Sequence, residues 1–162
     1  MTNKLLKISL LMPVLFILHN IEEFLGFDKM KAIMSNTVLG GLYQKEQFLT
    51  AIVILSIIVA VLFWLNYRVN SRIFNYTIFL ISIAIGINAI FHLVGSLKAW
   101  ELLPGVITAV FIFFYDVVFI RLFLKEIRIE KRSLLLFLII GFCVMIIAIV
   151  AALLAGKLIS YI

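Results

Sequence analysis

Five apolar runs of about 20 residues each, separated by short charged breaks, leave this chain few possible folds. A helix of that length crosses a hydrocarbon core of roughly 30 Å and pairs its own backbone polar groups without water. The hydrophobic fraction of 65% and the mean hydropathy of +1.26 lie far above those of soluble domains. The sequence predicts an all-α polytopic membrane protein, one helical domain over residues 1–162, with spans near residues 5–25, 47–67, 75–97, 103–124 and 134–156.

The longest connection, residues 26–46, carries its own helical pattern. Its apolar residues recur at helical spacing until a pair of glycines, which predicts a short interfacial helix between spans one and two. Such a helix either rests in the headgroup region or covers a site below it as a lid. The pattern consists of Met30, Ile33, Met34, Thr37 and Val38, followed by Gly40 and Gly41.

Basic residues in the connections predict the orientation of the chain. Nine of the fourteen fall on one side, at the amino terminus, between spans two and three, and between spans four and five. We therefore expect a multi-pass protein of the cell membrane with its amino terminus in the cytoplasm and its carboxyl terminus outside. The net charge of +6 then reflects topology and contact with anionic lipid of the bilayer, and no nucleic-acid patch is predicted. The nine are Lys4, Lys7, Arg68, Arg72, Arg121, Lys125, Arg128, Lys131 and Arg132.

A cluster of ionisable residues interrupts the first apolar run. His19, Glu22 and Glu23 are related by i, i+3 and i+4, so their side chains project within an arc of roughly 100° on one helix. Asn88 and His92 in span three form a second i, i+4 pair. At 1.5 Å per residue, both groups lie about 20 to 26 Å along their spans, in the outer half of the membrane. The sequence predicts that spans one and three meet there.

Carboxylates in hydrocarbon cost at least a few kcal/mol each, so a proton, hydrogen bonds or a bound cation must compensate them. His19 and His92 with one or both of Glu22 and Glu23 offer the mixed nitrogen and oxygen ligands that suit zinc or iron. Glu22 and Glu23 are also the candidate catalytic groups, because a carboxylate outside the metal shell can activate water. Asn88 is expected to orient His92 or a substrate. No residue is assigned to an organic cofactor.

The stretch His19-Asn20-Ile21-Glu22-Glu23, with His92 and Pro104-Gly105, resembles the prokaryotic membrane family named for its HXXEE motif. That family pairs the motif with one further histidine and a YxPG element. Here Leu102 stands where the tyrosine would be. The resemblance implies a bacterial protein in which the histidines and glutamates act as a unit, and it implies no particular reaction because the family has no established activity. Locally, Pro104 is expected in the first turn of span four.

Asp116 is a second buried charge, about 20 Å along span four from Leu103. A supporting role is expected, either as a distant proton acceptor or as a hydrogen-bond partner of a neighbouring helix or of Tyr76. At five residues' distance, Arg121 is a poor partner for it.

Three classes of function remain open, and so does whether the protein is an enzyme. A metal-dependent or metal-free glutamate acid/base enzyme would hydrolyse or isomerise a lipid-soluble or membrane-embedded substrate, either a hydrophobic small molecule or a peptide. A proton- or ion-coupled transporter would use the same residues along its route. A non-catalytic membrane partner protein would use the polar cluster only for packing, which is an expensive way to stabilise helices at about 0.6 kcal/mol per hydrogen bond.

Overall fold

The computed structural model describes residues 1–34, 44–127 and 131–159, and within these ranges the regular structure is helical. Five segments are long and apolar enough to cross a membrane, and the first of them combines two shorter helices. The predicted all-α multi-pass architecture with five spans is confirmed. In chain order the helices are α1 (Asn3–Ser9), α2 (Leu11–Leu25), α3 (Phe27–Met34), α4 (Lys45–Val69), α5 (Arg72–Ala99), α6 (Val106–Ile127) and α7 (Lys131–Ile159).

The predicted short helix between spans one and two is α3, which begins directly after Gly26. Phe27 at its start is buried, and its ring lies 5.5 Å from that of Phe48 on α4. This contact holds α3 against the beginning of α4. The predicted continuation of the pattern through residues 37, 38, 40 and 41 lies outside the described residues.

Pro13 divides the first span into α1 and α2. Proline has no N–H to donate to the carbonyl of Ser9, and its ring crowds that carbonyl, so the helix is interrupted at Leu10. The hydroxyl of Tyr115 on α6 donates to the carbonyl of Ile8 at 3.1 Å and lies 3.5 Å from that of Ser9. A neighbouring helix thus supplies a donor at the break, as the membrane interior requires.

The packing of the bundle leaves a space that polar side chains fill. α5 packs mainly on α6 and α7, while α2 packs on α4 and α6. Toward the end of the bundle where α5 begins and α6 ends, the core is aromatic, with Phe79 and Phe123 fully buried and stacked 4.1 Å apart. Beside α6, Asn88 and His92 on α5 contact His19 and Glu23 on α2. The ionisable residues of spans one and three project into that space.

Three segments lie together at one end of the bundle: the beginning of the chain, the α4–α5 turn and the end of α6. The ammonium of Met1 donates to Oδ1 of Asn70 at 2.9 Å, and the backbone N–H of Thr2 donates to Oε1 of Glu126 at 2.5 Å. We call this end the amino-terminal face. These three segments were predicted to lie on the same side of the membrane. That this side is the cytoplasm stays a prediction.

The α5–α6 turn lies at the other end, which we call the opposite face. Gly26, at the end of α2, abuts the ring of Pro104 so closely that a Cβ there would overlap it. Above this contact, Nζ of Lys29 on α3 lies 2.6 Å from a carboxylate oxygen of Glu101 and donates to the carbonyl of Leu102 at 3.0 Å. The first span and the α5–α6 turn are therefore joined at the level of the predicted site.

Candidate functional site

Three ionisable side chains from two helices converge near the opposite face. Oε1 of Glu23 on α2 lies 2.8 Å from Nε2 of His92 on α5 and 3.7 Å from Nε2 of His19 on α2. The two imidazole rings meet edge to face, with centroids 4.8 Å apart and planes at 88°. One ligand atom from each residue lies within 4.8 Å of the others. The structure thus brings together three of the four residues predicted as metal ligands.

The cluster is almost closed to its surroundings. The side chain of His19 is 1% exposed, whereas those of Glu23 and His92 keep 11% and 10% of their surface accessible. Any water or substrate therefore reaches the cluster at the edge formed by Glu23 and His92. His19 forms the sealed inner wall.

The α5–α6 turn fixes the orientation of His92. Nδ1 of His92 lies 2.8 Å from the carbonyl oxygen of Pro104. A carbonyl only accepts hydrogen bonds, so Nδ1 must carry the hydrogen. Nε2 is consequently the atom that His92 presents to Glu23, and at 2.8 Å the two groups either share a proton or are arranged to bind a cation together.

Thr108 on α6 fixes the orientation of His19 in the same way. Its Oγ1 lies 2.9 Å from Nδ1 of His19 and donates to Oε2 of Glu22 at 2.6 Å. Because the hydroxyl hydrogen is used on the carboxylate, Oγ1 accepts the Nδ1 hydrogen of His19. The lone pair of Nε2 then faces the cluster. Both histidines are therefore held by Nδ1 and present Nε2, the arrangement found when outer groups orient metal-binding imidazoles.

Glu22 lies beside the cluster and caps the beginning of α6. Its two carboxylate oxygens accept the backbone N–H groups of Ile107 at 3.0 Å and Thr108 at 2.8 Å. These N–H groups belong to the first turn of a helix, where they have no partner within the helix and where the helix dipole favours negative charge. The sequence left open whether one or both glutamates bind a metal. Glu23 contacts both histidines, whereas Glu22 contacts the start of α6 and Thr108, whose hydroxyl contacts His19.

Asn88 contacts His19, whereas we expected it from the sequence to orient His92 or a substrate. Nδ2 of Asn88 lies 3.2 Å from Nε2 of His19, so the amide donates to the lone pair that faces the cluster. This hydrogen bond satisfies His19 when no cation is bound. A cation at Nε2 would displace the amide, whose flexible side chain has a second hydrogen-bonding atom.

Pro104 and Gly105 shape the site directly. Pro104 precedes α6, which begins at Val106, so the expectation that it lies in the first turn of span four is wrong by two residues. Gly105 has a φ of +85°, and a Cβ there would lie 2.8 Å from Cε1 of His19 and 3.0 Å from Cε1 of His92. Glycine is required both for the backbone conformation and for the space that the two rings occupy.

Leu102, the residue in the tyrosine position of the YxPG element, lies outside the cluster. Its side chain is 72% exposed at the opposite face. Only its backbone carbonyl has a described contact, with Lys29. A phenol at this position would lie at the surface of this chain.

Asp116 is separate from the cluster. It is 3% exposed, and within the described ranges neither of its carboxylate oxygens has a hydrogen-bond partner, so the expected bond to Tyr76 or to another helix is not found. Oδ2 occupies the space where Gly86 on α5 lacks a side chain. On α6 it lies two helical turns, about 12 Å, beyond Thr108, with the fully buried Ile112 between them.

The sequence did not indicate Thr108, which is one hydroxyl residue near the start of an apolar helix that no periodicity marks. Gly105 was singled out with Pro104, but the contact of its backbone with both rings depends on how the turn folds. By contrast, Asn20 within the motif points away from the cluster and donates to Oγ of Ser56 on α4 at 2.9 Å, which joins α2 to α4.

Comparison with known proteins connects this geometry to a sequence family. A family model described as "Protein of unknown function with HXXEE motif" matches residues 10–120, more than half of the chain. The matched region contains the entire cluster, the Pro104-Gly105 turn and Thr108. No curated protein and no solved structure matches the chain.

Proposed function

The chain belongs to the family of proteins of unknown function with an HXXEE motif, and on that premise we propose that it is a metal-dependent membrane enzyme. His19, Glu23 and His92 bind a divalent zinc or iron ion, and the protein hydrolyses or isomerises a lipid-soluble or membrane-embedded substrate. The observation that carries the proposal is the orientation of the two imidazoles: each is held by Nδ1, and each directs Nε2 toward the same oxygen of Glu23.

The donor atoms fit such an ion. Two nitrogen ligands and one oxygen ligand are a usual set for a catalytic zinc site, which keeps a fourth position for water or substrate. Ligand atoms around one tetrahedral zinc lie about 3.4 Å apart. The separations of Glu23 Oε1 from the two Nε2 atoms, 2.8 and 3.7 Å, bracket that value. One ligand atom of each of the three residues lies within 4.8 Å of the others, so side-chain shifts of up to about 1.4 Å bring all three to that spacing.

When bound, the metal supplies a water that loses its proton easily and a Lewis acid for a substrate oxygen. The residues of the chain supply the rest. Glu23 and His92 form the accessible edge where a polar group of the substrate enters, and low exposure of the cluster strengthens every electrostatic contact made there. Glu22 does not act on the substrate, because its two oxygens accept three hydrogen bonds from α6.

A metal-free acid/base enzyme is the second candidate. The 2.8 Å distance between Glu23 Oε1 and His92 Nε2 favours it, because a proton shared between these atoms makes one a donor and the other an acceptor for a substrate. Transport would require a polar route through the bundle. Between the cluster and Asp116, however, the described residues place the buried side chain of Ile112.

Metal analysis of the purified protein tests the proposal. We expect close to one zinc or iron ion per wild-type chain and almost none in His92→Ala, with full content in the matched control Asp116→Asn, which changes a buried polar residue outside the cluster. A wild type that stays metal-free after incubation with zinc and with ferrous iron would exclude the metal site. The metal-free acid/base enzyme would then be the favoured candidate. Proton flux into liposomes that depends on Glu23 would instead support transport.

A further inference from the structure

A cleft of about 360 Å³ lies at the amino-terminal face, at the other end of the bundle from the His/Glu cluster. It lies between α1 and α6. Its lining includes the exposed Lys4 and Lys125, one from each helix, which we call its rim, and the apolar Ile8 and Leu122, which we call its wall. The cleft therefore offers two ammonium groups above a hydrocarbon surface.

The charge around this cleft is mainly positive. Lys7 on α1 and Arg121 on α6 are exposed on the same two helices, outside the lining of the cleft. The acidic residue of the cleft, Glu126, already accepts hydrogen bonds from the backbone N–H of Thr2 at 2.5 Å and from its hydroxyl at 3.0 Å. Among the described residues, no hydrogen bond or ion pair engages Lys4 or Lys125, so both can contact a negatively charged group from outside the chain.

The apolar wall continues toward the middle of the membrane. Leu122 is 39% exposed, and Val118, one turn deeper on α6, is 54% exposed. These residues lie about 5 and 10 Å along the helix from Lys125. An elongated molecule with a charged head and a hydrocarbon tail matches this order of cationic rim and apolar wall.

We propose that the cleft between α1 and α6 binds an anionic phospholipid, with its phosphate between Lys4 and Lys125 and an acyl chain along Ile8 and Leu122. Basic residues at the edge of a membrane helix bundle attract acidic headgroups, each contributing on the order of a fivefold increase in binding. A zwitterionic lipid would add its own cation beside the two lysines and would bind more weakly. The site does not depend on the function proposed for the His/Glu cluster.

Native mass spectrometry of the full-length protein in detergent, with phosphatidylglycerol or phosphatidylcholine added, tests this site. We expect one phosphatidylglycerol molecule to remain bound at concentrations where phosphatidylcholine does not. In Lys4→Ala/Lys125→Ala the affinity for phosphatidylglycerol should fall roughly thirtyfold. The matched control Lys7→Ala/Arg121→Ala removes the same charge from the same helices outside the cleft and should lose much less.

Two further measurements keep the test decisive. Leu122→Asn leaves the lysines in place but makes the wall polar, so it should weaken binding of phosphatidylglycerol without unfolding the bundle. Inorganic phosphate should not raise the thermal unfolding temperature, because it has no acyl chain. Equal retention of the two lipids, or an equal loss of affinity for phosphatidylglycerol in the two double variants, would overturn the proposal. So would a rise in the thermal unfolding temperature with inorganic phosphate, or a copurifying protein partner that blocks lipid binding.

Discussion

Oε1 of Glu23 lies 2.8 Å from Nε2 of His92, across the space between the first and third spans. His92 is not positioned by its own helix alone. His92 is turned by the carbonyl of Pro104, and the rings of both histidines pack against Gly105. The α5–α6 turn is therefore the part of the chain that converts two polar helix faces into one site.

Replacing each glutamate in turn by glutamine should distinguish their roles. Glu23→Gln removes a metal ligand, so we expect zinc affinity to fall more than about 100-fold, beyond the range typical of outer groups. Glu22→Gln weakens the cap of α6 and should reduce the free energy of unfolding by about 1 kcal/mol, with a loss of zinc affinity of about tenfold or less. Isothermal titration and thermal unfolding of both variants check this. Equal losses of affinity would contradict the distinction.

Thr108 should act through its hydroxyl. Thr108→Val keeps the shape but leaves Nδ1 of His19 and Oε2 of Glu22 without their shared partner, so zinc affinity should fall about 10- to 100-fold. Thr108→Ser retains the hydroxyl and should restore most of the affinity. A titration in which valine and serine behave alike would show that the hydroxyl does not hold His19.

Gly105→Ala should disturb the backbone and the site together. The φ of +85° disfavours alanine, and the added methyl would meet both imidazole rings. We expect a loss of roughly 1 to 3 kcal/mol in the free energy of unfolding, together with weaker zinc binding. The matched control is Gly95→Ala on α5, where the nearest atom would be Leu103 Cδ1 at an ordinary 3.4 Å. An unchanged Gly105→Ala protein would refute the packing described here.

Gly86 and Asp116 should be coupled in stability. A methyl at Gly86 would overlap Oδ2 of Asp116, so Gly86→Ala should be destabilising by about 1 to 3 kcal/mol. Asp116→Ala creates space beside it, and the double variant should be more stable than the sum of the single changes indicates. Thermal unfolding of the four proteins gives the coupling. Additive changes would mean that the two residues do not touch.

Much of the fold was predictable because hydropathy and helix length alone determine where a chain crosses a membrane. The meeting of His19, Glu23 and His92 was also predictable, since depth along a span follows from counting residues. The different contacts of Glu22 and Glu23 could not be predicted from the sequence. Both side chains project within one arc of α2. Only the position of the first turn of α6 lets Glu22 cap that helix and leaves Glu23 beside the histidines.

The contributions of Gly105 and Thr108 also required the structure. Each depends on the conformation of the α5–α6 turn, which hydrophobic periodicity does not encode. For Asp116 the sequence left open a distant proton acceptor or a hydrogen-bond partner. In the described part of the chain its carboxylate oxygens have no hydrogen-bond partner, and one of them lies against Gly86.

X-ray absorption spectroscopy of the zinc-loaded protein would identify the ligand atoms themselves. We expect two imidazole nitrogens and one or two oxygens around zinc, with one imidazole lost from the spectrum of any His92→Ala protein that still binds the ion. A zinc shell without imidazole, or a wild type that takes up no zinc, would contradict the claim that His19, Glu23 and His92 form a metal site.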